Sequence, residues 1–189
     1  MAFTRKKPAV YGPNAMTVQE ATNSISQRKV IRVIPTTSTE DTSSAGDVLV
    51  LSTEIPNATL RPGGCSKLEY IGLYNHKDTT CDVDVVFTAK QVELTDGISN
   101  AVGNTSTWTE ALAKSSNFLG VARMDVSDSE VDFINGLFSS FGTNSQIETP
   151  SIFLQSEENS TSVYFSVIDR TGSIEFGADD LEFIFGVTY

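Results

Sequence analysis

Leu181-Glu182-Phe183-Ile184-Phe185-Gly186-Val187-Thr188-Tyr189 ends the sequence and decides the fold. Leu181, Phe183, Phe185 and Val187 fall at every second position, the period of a strand with one buried face. A frayed tail would not alternate so regularly, so this stretch is expected to be paired inside a sheet.

Upstream the grammar is the same from residue 30 onward: short apolar or alternating runs separated by turn residues. Residues 30–34 are a β-branched run stopped by Pro35, and a Thr/Ser-rich loop follows over 36–46. Residues 48–55 read as a strand ended by Pro56-Asn57, and Arg61-Pro62-Gly63-Gly64 is a strong turn signal. Along residues 67–75, strict alternation groups Leu68, Tyr70, Gly72 and Tyr74 on one face and Glu69, Ile71 and Leu73 on the other. Both faces carry apolar groups, as expected of an interior strand. Asp82-Val83-Asp84-Val85-Val86-Phe87 is the next strand. The short polar link between them, residues 76–80, predicts an antiparallel hairpin.

Residues 91–107 read as a loop, 109–116 as a short helix and 118–126 as a strand. Ser127 with Glu130 three residues on has the form of a capping box. Val131, Ile134, Leu137 and Phe138 follow at helical spacing, so a second helix is expected there, ended by Gly142. Residues 152–154 and 162–168 complete the strands. Seven or eight short strands with one or two small helices in the connections define an all-β chain. The expected fold is an antiparallel β-sandwich, jelly-roll-like, over residues 30–189, preceded by an extended basic N-terminal arm over residues 1–29.

Charge divides the chain in the same way. Its first 32 residues carry six basic side chains and one acid, whereas residues 33–189 carry seven bases and 23 acids and sum to −16. An acidic body keeps identical copies apart until something organises them. The N-terminus starts basic but has no apolar run behind it, so neither a signal peptide nor a membrane anchor is expected. No apolar stretch approaches the roughly 20 residues that span a bilayer. Synthesis in a cytoplasm is the expectation, and the sequons at Asn57, Asn104 and Asn159 would matter only in a secreted chain.

Catalytic patterns are missing from the sequence. Its single histidine, His76, falls in a polar turn, which offers no pocket and no orienting partner for a base. Two cysteines, Cys65 and Cys81, sit at unequal distances from the predicted turn, so two free, partly buried thiols are expected. With one histidine and no CxxC pair, a four-ligand zinc site within the chain is excluded. Asp125, Asp128, Glu130 and Asp132 form the densest acidic cluster, with Asp179, Asp180 and Glu182 the second. Neither the glycine nor the closing glutamate of a calcium loop is in place, and a solvated helix start explains the first cluster. No cofactor, metal or enzymatic activity is expected.

Arg5, Lys6, Lys7, Arg28 and Lys29 are the candidate partner-binding residues of the arm. Contacts to nucleic-acid phosphates would be opposed by the acidic body, and Phe3 and Tyr11 are the arm's only aromatic platforms. An acidic protein surface suits these cations better, including that of a neighbouring copy. Pro8 and Pro13 favour an extended path whose reach is on the order of 90 Å, enough to cross a subunit boundary.

An ordered series of short segments carries a family resemblance: Ser43-Ser44-Ala45-Gly46-Asp47-Val48-Leu49 after the strand at 30–34, Pro62-Gly63-Gly64 before 68–73, and then the strand at 82–87. Phe118-Leu119-Gly120-Val121, Ser162-Val163-Tyr164 and Asp180-Leu181-Glu182-Phe183-Ile184-Phe185-Gly186 complete the series. Together they resemble tailed-bacteriophage virion proteins that are small β-sandwich structural components. Ser44 stands where that family often has an aromatic, and residues 1–29 and 127–150 have no counterpart in it. The resemblance implies a virion component at the capsid surface, a decoration or cement protein. Its expected partners are the major capsid protein and copies of itself, as a homotrimer, without nucleic acid, membrane or small-molecule substrate. A tail or neck adaptor, or a fibre-associated protein, is the alternative within the virion. A secreted carbohydrate-binding sandwich is the alternative outside it, though Trp108 is the chain's one tryptophan.

Overall fold

The computed structural model describes residues 27–37, 43–77, 79–92, 110–125, 130–133, 136–141, 152–172, 176–177 and 179–189. The strands are β1 (Arg28–Val33), β2 (Val48–Ile55), β3 (Cys65–Asn75), β4 (Val83–Thr88), β5 (Phe118–Met124), β6 (Glu130–Phe133), β7 (Gly136–Phe141), β8 (Ile152–Gln155), β9 (Val163–Asp169) and β10 (Leu181–Thr188). A single short helix among the described residues, α1 (Glu110–Ser115), lies between β4 and β5.

Two antiparallel sheets result. The first runs β1-β10-β3-β7-β6, with β8 also on β3, and the second runs β2-β9-β4-β5. The pairs are nested: β1 with β10, β2 with β9, β3 with β8, and β4 with β5. A long hairpin wound so that successive pairs fall in alternate sheets is a jelly roll. The β6–β7 hairpin is the addition to that plan. It takes the Ile71–Asn75 stretch of one edge of β3, while β8 takes Cys65–Leu68 of the same edge.

Leu181, Phe183, Phe185 and Val187 are all buried, and β10 lies between β1 and β3, as the alternation predicts. Phe183 and Phe185 meet Phe87 and Phe165 of the facing sheet. Phe165 lies 5.2 Å from the Phe183 ring and 5.0 Å from that of Phe185, with Phe87 5.9 Å from Phe185. Burial of each such ring stabilises by about 1.5–3 kcal/mol, and tilted contacts add to it. Ile55, Leu73, Met124, Leu154 and Val167 fill the space around the rings.

Three local expectations are corrected. β3 and β4 are not a hairpin: they belong to opposite sheets, and the link after Asn75 crosses the sandwich. Leu68 is buried with Ile71 and Leu73, because β3 carries an extra residue: Gly186 pairs with Tyr70 but Val187 with Leu68. That bulge at Glu69 shifts the phase of the alternation. The helix expected after residue 127 is the β6–β7 hairpin instead. Glu130-Val131-Asp132-Phe133 also alternates, and the open edge of β3 supplies a partner that a lone helix lacks.

Turns are held by side chains. Gly46 takes φ +102°, a conformation that favours glycine, and the Ser44 amide donates to the Asp47 carboxylate at 2.7 Å. The Ser43-Ser44-Ala45-Gly46-Asp47 motif is thus an anchored turn leading into β2.

Candidate docking surface

The face of the first sheet turned away from the core is built by register. Arg28, Thr188, Lys67 and Phe153 stand in one row across β1, β10, β3 and β8. Val30, Gly186 and Tyr70 form the next, and Arg32, Ile184, Gly72 and Ser140 a third. Gly186 lets Tyr70 lie close over the sheet, since a Cβ there would stand 3.0 Å from the Tyr70 Cβ. Val30 and Phe153 are 65% and 66% exposed, more than most large apolar side chains of a folded domain.

Charges border these apolar groups. Arg32 Nη1 donates to Glu182 at 2.6 Å, and His76 Nε2 stands 4.0 Å from the same carboxylate. Glu69 is 3.8 Å from Arg28 Nε and 3.7 Å from Lys67 Nζ. These are exposed pairs, each worth at most about 1 kcal/mol, so they orient the side chains more than they stabilise the fold. Arg28, Arg32 and Lys67 outnumber Glu69 and Glu182 here, on a body whose overall balance is strongly acidic. The Tyr70 phenol is pushed up from its ordinary value by burial, partly countered by the Arg32 guanidinium.

Arg5, Lys6 and Lys7 lie outside the described residues. Arg28 and Lys29 do not belong to an arm: both are in β1, the edge strand of the first sheet. Lys29 Nζ donates to the Asn57 carbonyl at 3.4 Å, which also accepts from the Tyr189 hydroxyl at 2.7 Å. Arg32, Val30, Lys67 and Phe153 were not singled out from sequence. The alternation Arg28-Val30-Arg32-Ile34 was the available signal, and Ile34 is also exposed.

The remaining candidates resolve into structural roles. Asp125 pairs with Arg170 Nη1 at 2.5 Å, and Asp84 accepts from Arg123 Nε at 3.0 Å and Nη2 at 3.3 Å, an ion network on β4 and β5 and after β9. Asp128 lies outside the described residues, and Glu130 and Asp132 are in β6 rather than at a helix start. Asp180 accepts from the Gly177 amide in a turn, and Glu182 serves Arg32. Among the described residues, no three His, Cys, Asp or Glu side chains converge as a metal site would require, and no helix is long and apolar enough to cross a membrane. Both cysteines are free, with Cys65 exposed and Cys81 buried. Burial, reinforced by Asp169 and Asp82, pushes the Cys81 thiol well up. A polar cleft of about 530 Å³ beside Lys90, Glu157, Glu158 and Tyr164 is bridged by a 3.3 Å Lys90–Glu157 pair. It lacks the apolar lining typical of small-molecule sites.

The fold and this surface define the chain as a jelly-roll β-sandwich with a mixed cationic and apolar sheet face. Compared with known proteins, it matches no family model, no curated protein and no solved structure.

Proposed function

We propose that the protein is a non-enzymatic structural component of a virus particle, a decoration protein that binds the capsid exterior and reinforces the shell. The observation that carries this reading is the outer face of the first sheet. It gathers Arg28, Arg32 and Lys67 around exposed Val30 and Phe153 on an otherwise acidic molecule. Such a surface suits an acidic protein partner: cations steer the encounter, and apolar contact supplies the affinity. The sequence resemblance to tailed-phage virion proteins supplies the class of partner, the major capsid protein. In this reading Arg5, Lys6 and Lys7, upstream of β1 in the sequence, would supply further cations and a second contact with the same partner.

Adding purified protein to particles that lack it tests the reading. Saturable binding to the shell that weakens with added salt is expected. Failure to sediment with particles at low salt contradicts it.

A further inference from the structure

The second sheet carries the polar cleft noted above at one end. Residues 89–91 after β4, residues 157–160 between β8 and β9, and Tyr164 of β9 line it. Val163 and Phe165 are fully buried in the core, so Tyr164 between them faces away from it. The volume of about 530 Å³ falls within the range of ligand sites, about 300–1,000 Å³. We infer that this cleft binds a neutral saccharide.

Its walls are fixed before any ligand arrives. On one side the Glu157 carbonyl accepts from the Ser160 amide at 3.0 Å and from the Gly63 amide at 2.8 Å. On the other, the Ala89 amide donates to the Asn117 carbonyl at 3.0 Å and the Lys90 amide to the Ser116 carbonyl at 3.2 Å. The Thr88 hydroxyl donates to the Lys90 carbonyl at 2.8 Å. A side chain ties the two walls together: Glu157 Oε1 stands 3.3 Å from Lys90 Nζ and accepts from Asn117 Nδ2 at 3.2 Å. A site ordered in advance loses little affinity to ordering on binding.

The chemistry of the lining selects the ligand. Apart from Ala89 every lining residue is polar, which disfavours an apolar molecule. Two carboxylates against one ammonium repel an anion. A cation fares little better, since Glu157 is already engaged by Lys90 and Asn117. The side chains of Gln91, Glu158, Asn159 and Tyr164 make no hydrogen bond or ion pair among the described residues. They offer two amides, a carboxylate and a phenol, a mixture of donors and acceptors. Sugar hydroxyls, each both donor and acceptor, need such a mixture. Tyr164 adds an aromatic surface for the C–H face of a sugar ring. Arg28, Arg32 and Lys67 belong to the other sheet, so sugar binding neither needs nor obstructs the docking proposed above.

Titration of the intact protein with glucose, galactose, mannose and N-acetylglucosamine, followed by amide chemical shifts, tests this without particles. At least one sugar should shift the amides of residues 89–91 and 157–160 saturably, with millimolar or tighter affinity. Asn159→Ala and Glu158→Gln, both at exposed positions, should each weaken that binding by about fivefold, the worth of one hydrogen bond. Phe153→Ala, on the docking face, should leave it unchanged. No saturable shift with any of these sugars, shifts confined to the first sheet, or binding that both cleft variants leave intact overturns the proposal. Trilysine shifting the same amides where the sugars do not also overturns it, in favour of a cationic peptide.

Discussion

Asp169 at the end of β9 and Asp47 at the start of β2 clasp each other: the Asp169 amide donates to the Asp47 carbonyl at 2.8 Å. The Asp169 side chain is fully buried and accepts from the Ser43 hydroxyl and from the amides of Thr171 at 2.8 Å and Gly172 at 3.1 Å. One carboxylate therefore fixes two loops at one end of the sandwich. Asp169→Ala would strand these donors, at about 3 kcal/mol, and Ser43→Ala should cost about 1 kcal/mol. Urea unfolding measures both. Equal, negligible losses would contradict the clasp.

The aromatic core and the exposed face should separate cleanly in the same assay. Phe185→Ala removes a ring packed on Phe165 and Phe87 and should cost about 3–5 kcal/mol. Phe153→Ala removes an exposed ring and should change stability by about 0.5 kcal/mol or less, while weakening partner binding.

The two thiols should differ sharply in reactivity. Cys65 is exposed, whereas Cys81 is buried and its thiol is held protonated. Alkylation of the native protein at mildly alkaline pH should label Cys65 alone, and Cys81 only after unfolding. Peptide mapping by mass spectrometry reads the site. Equal labelling rates in the native state would contradict the burial.

Alkaline stability follows from the same groups. Burial raises the folded-state values of Cys81, Tyr70 and Tyr189 above their unfolded ones. Each contribution is fully present below the unfolded value and is lost as pH rises towards and through the folded one. Stability should therefore decline from about pH 8.5, where an unfolded thiol ionises, and more steeply above about pH 10, with the tyrosines. Denaturant titrations across that range provide the check. Cys81→Ser should remove the first part of the decline and leave the second.

Legibility in the sequence followed locality. Strand β2 occupies the residues its composition marks, and the alternation of β10 names its buried face, because both depend on side-chain period alone. The inward turn of Leu68 was illegible, since one extra residue opposite Gly186 reverses the phase and no side chain announces it. The partner of β3 was equally hidden: a short link after Asn75 suits a hairpin and a crossover alike, and only packing of the two sheets decides. At residues 130–138 helical and strand periods both fit, and the vacant edge of β3 selects the strand. On the docking face, the charge imbalance was legible but its location was not. Arg28 and Lys29 read as arm residues until β10 is seen to pair with β1.

The central claim is that the β1 side of the first sheet is where this protein meets its partners. Amide hydrogen exchange, followed residue by residue in the free protein and on the particle, tests it most directly. The account predicts that the amides of β1 slow by about tenfold or more on assembly while those of β4 and β9, already inside the second sheet, do not change. Assembly that leaves β1 exchange untouched would contradict it.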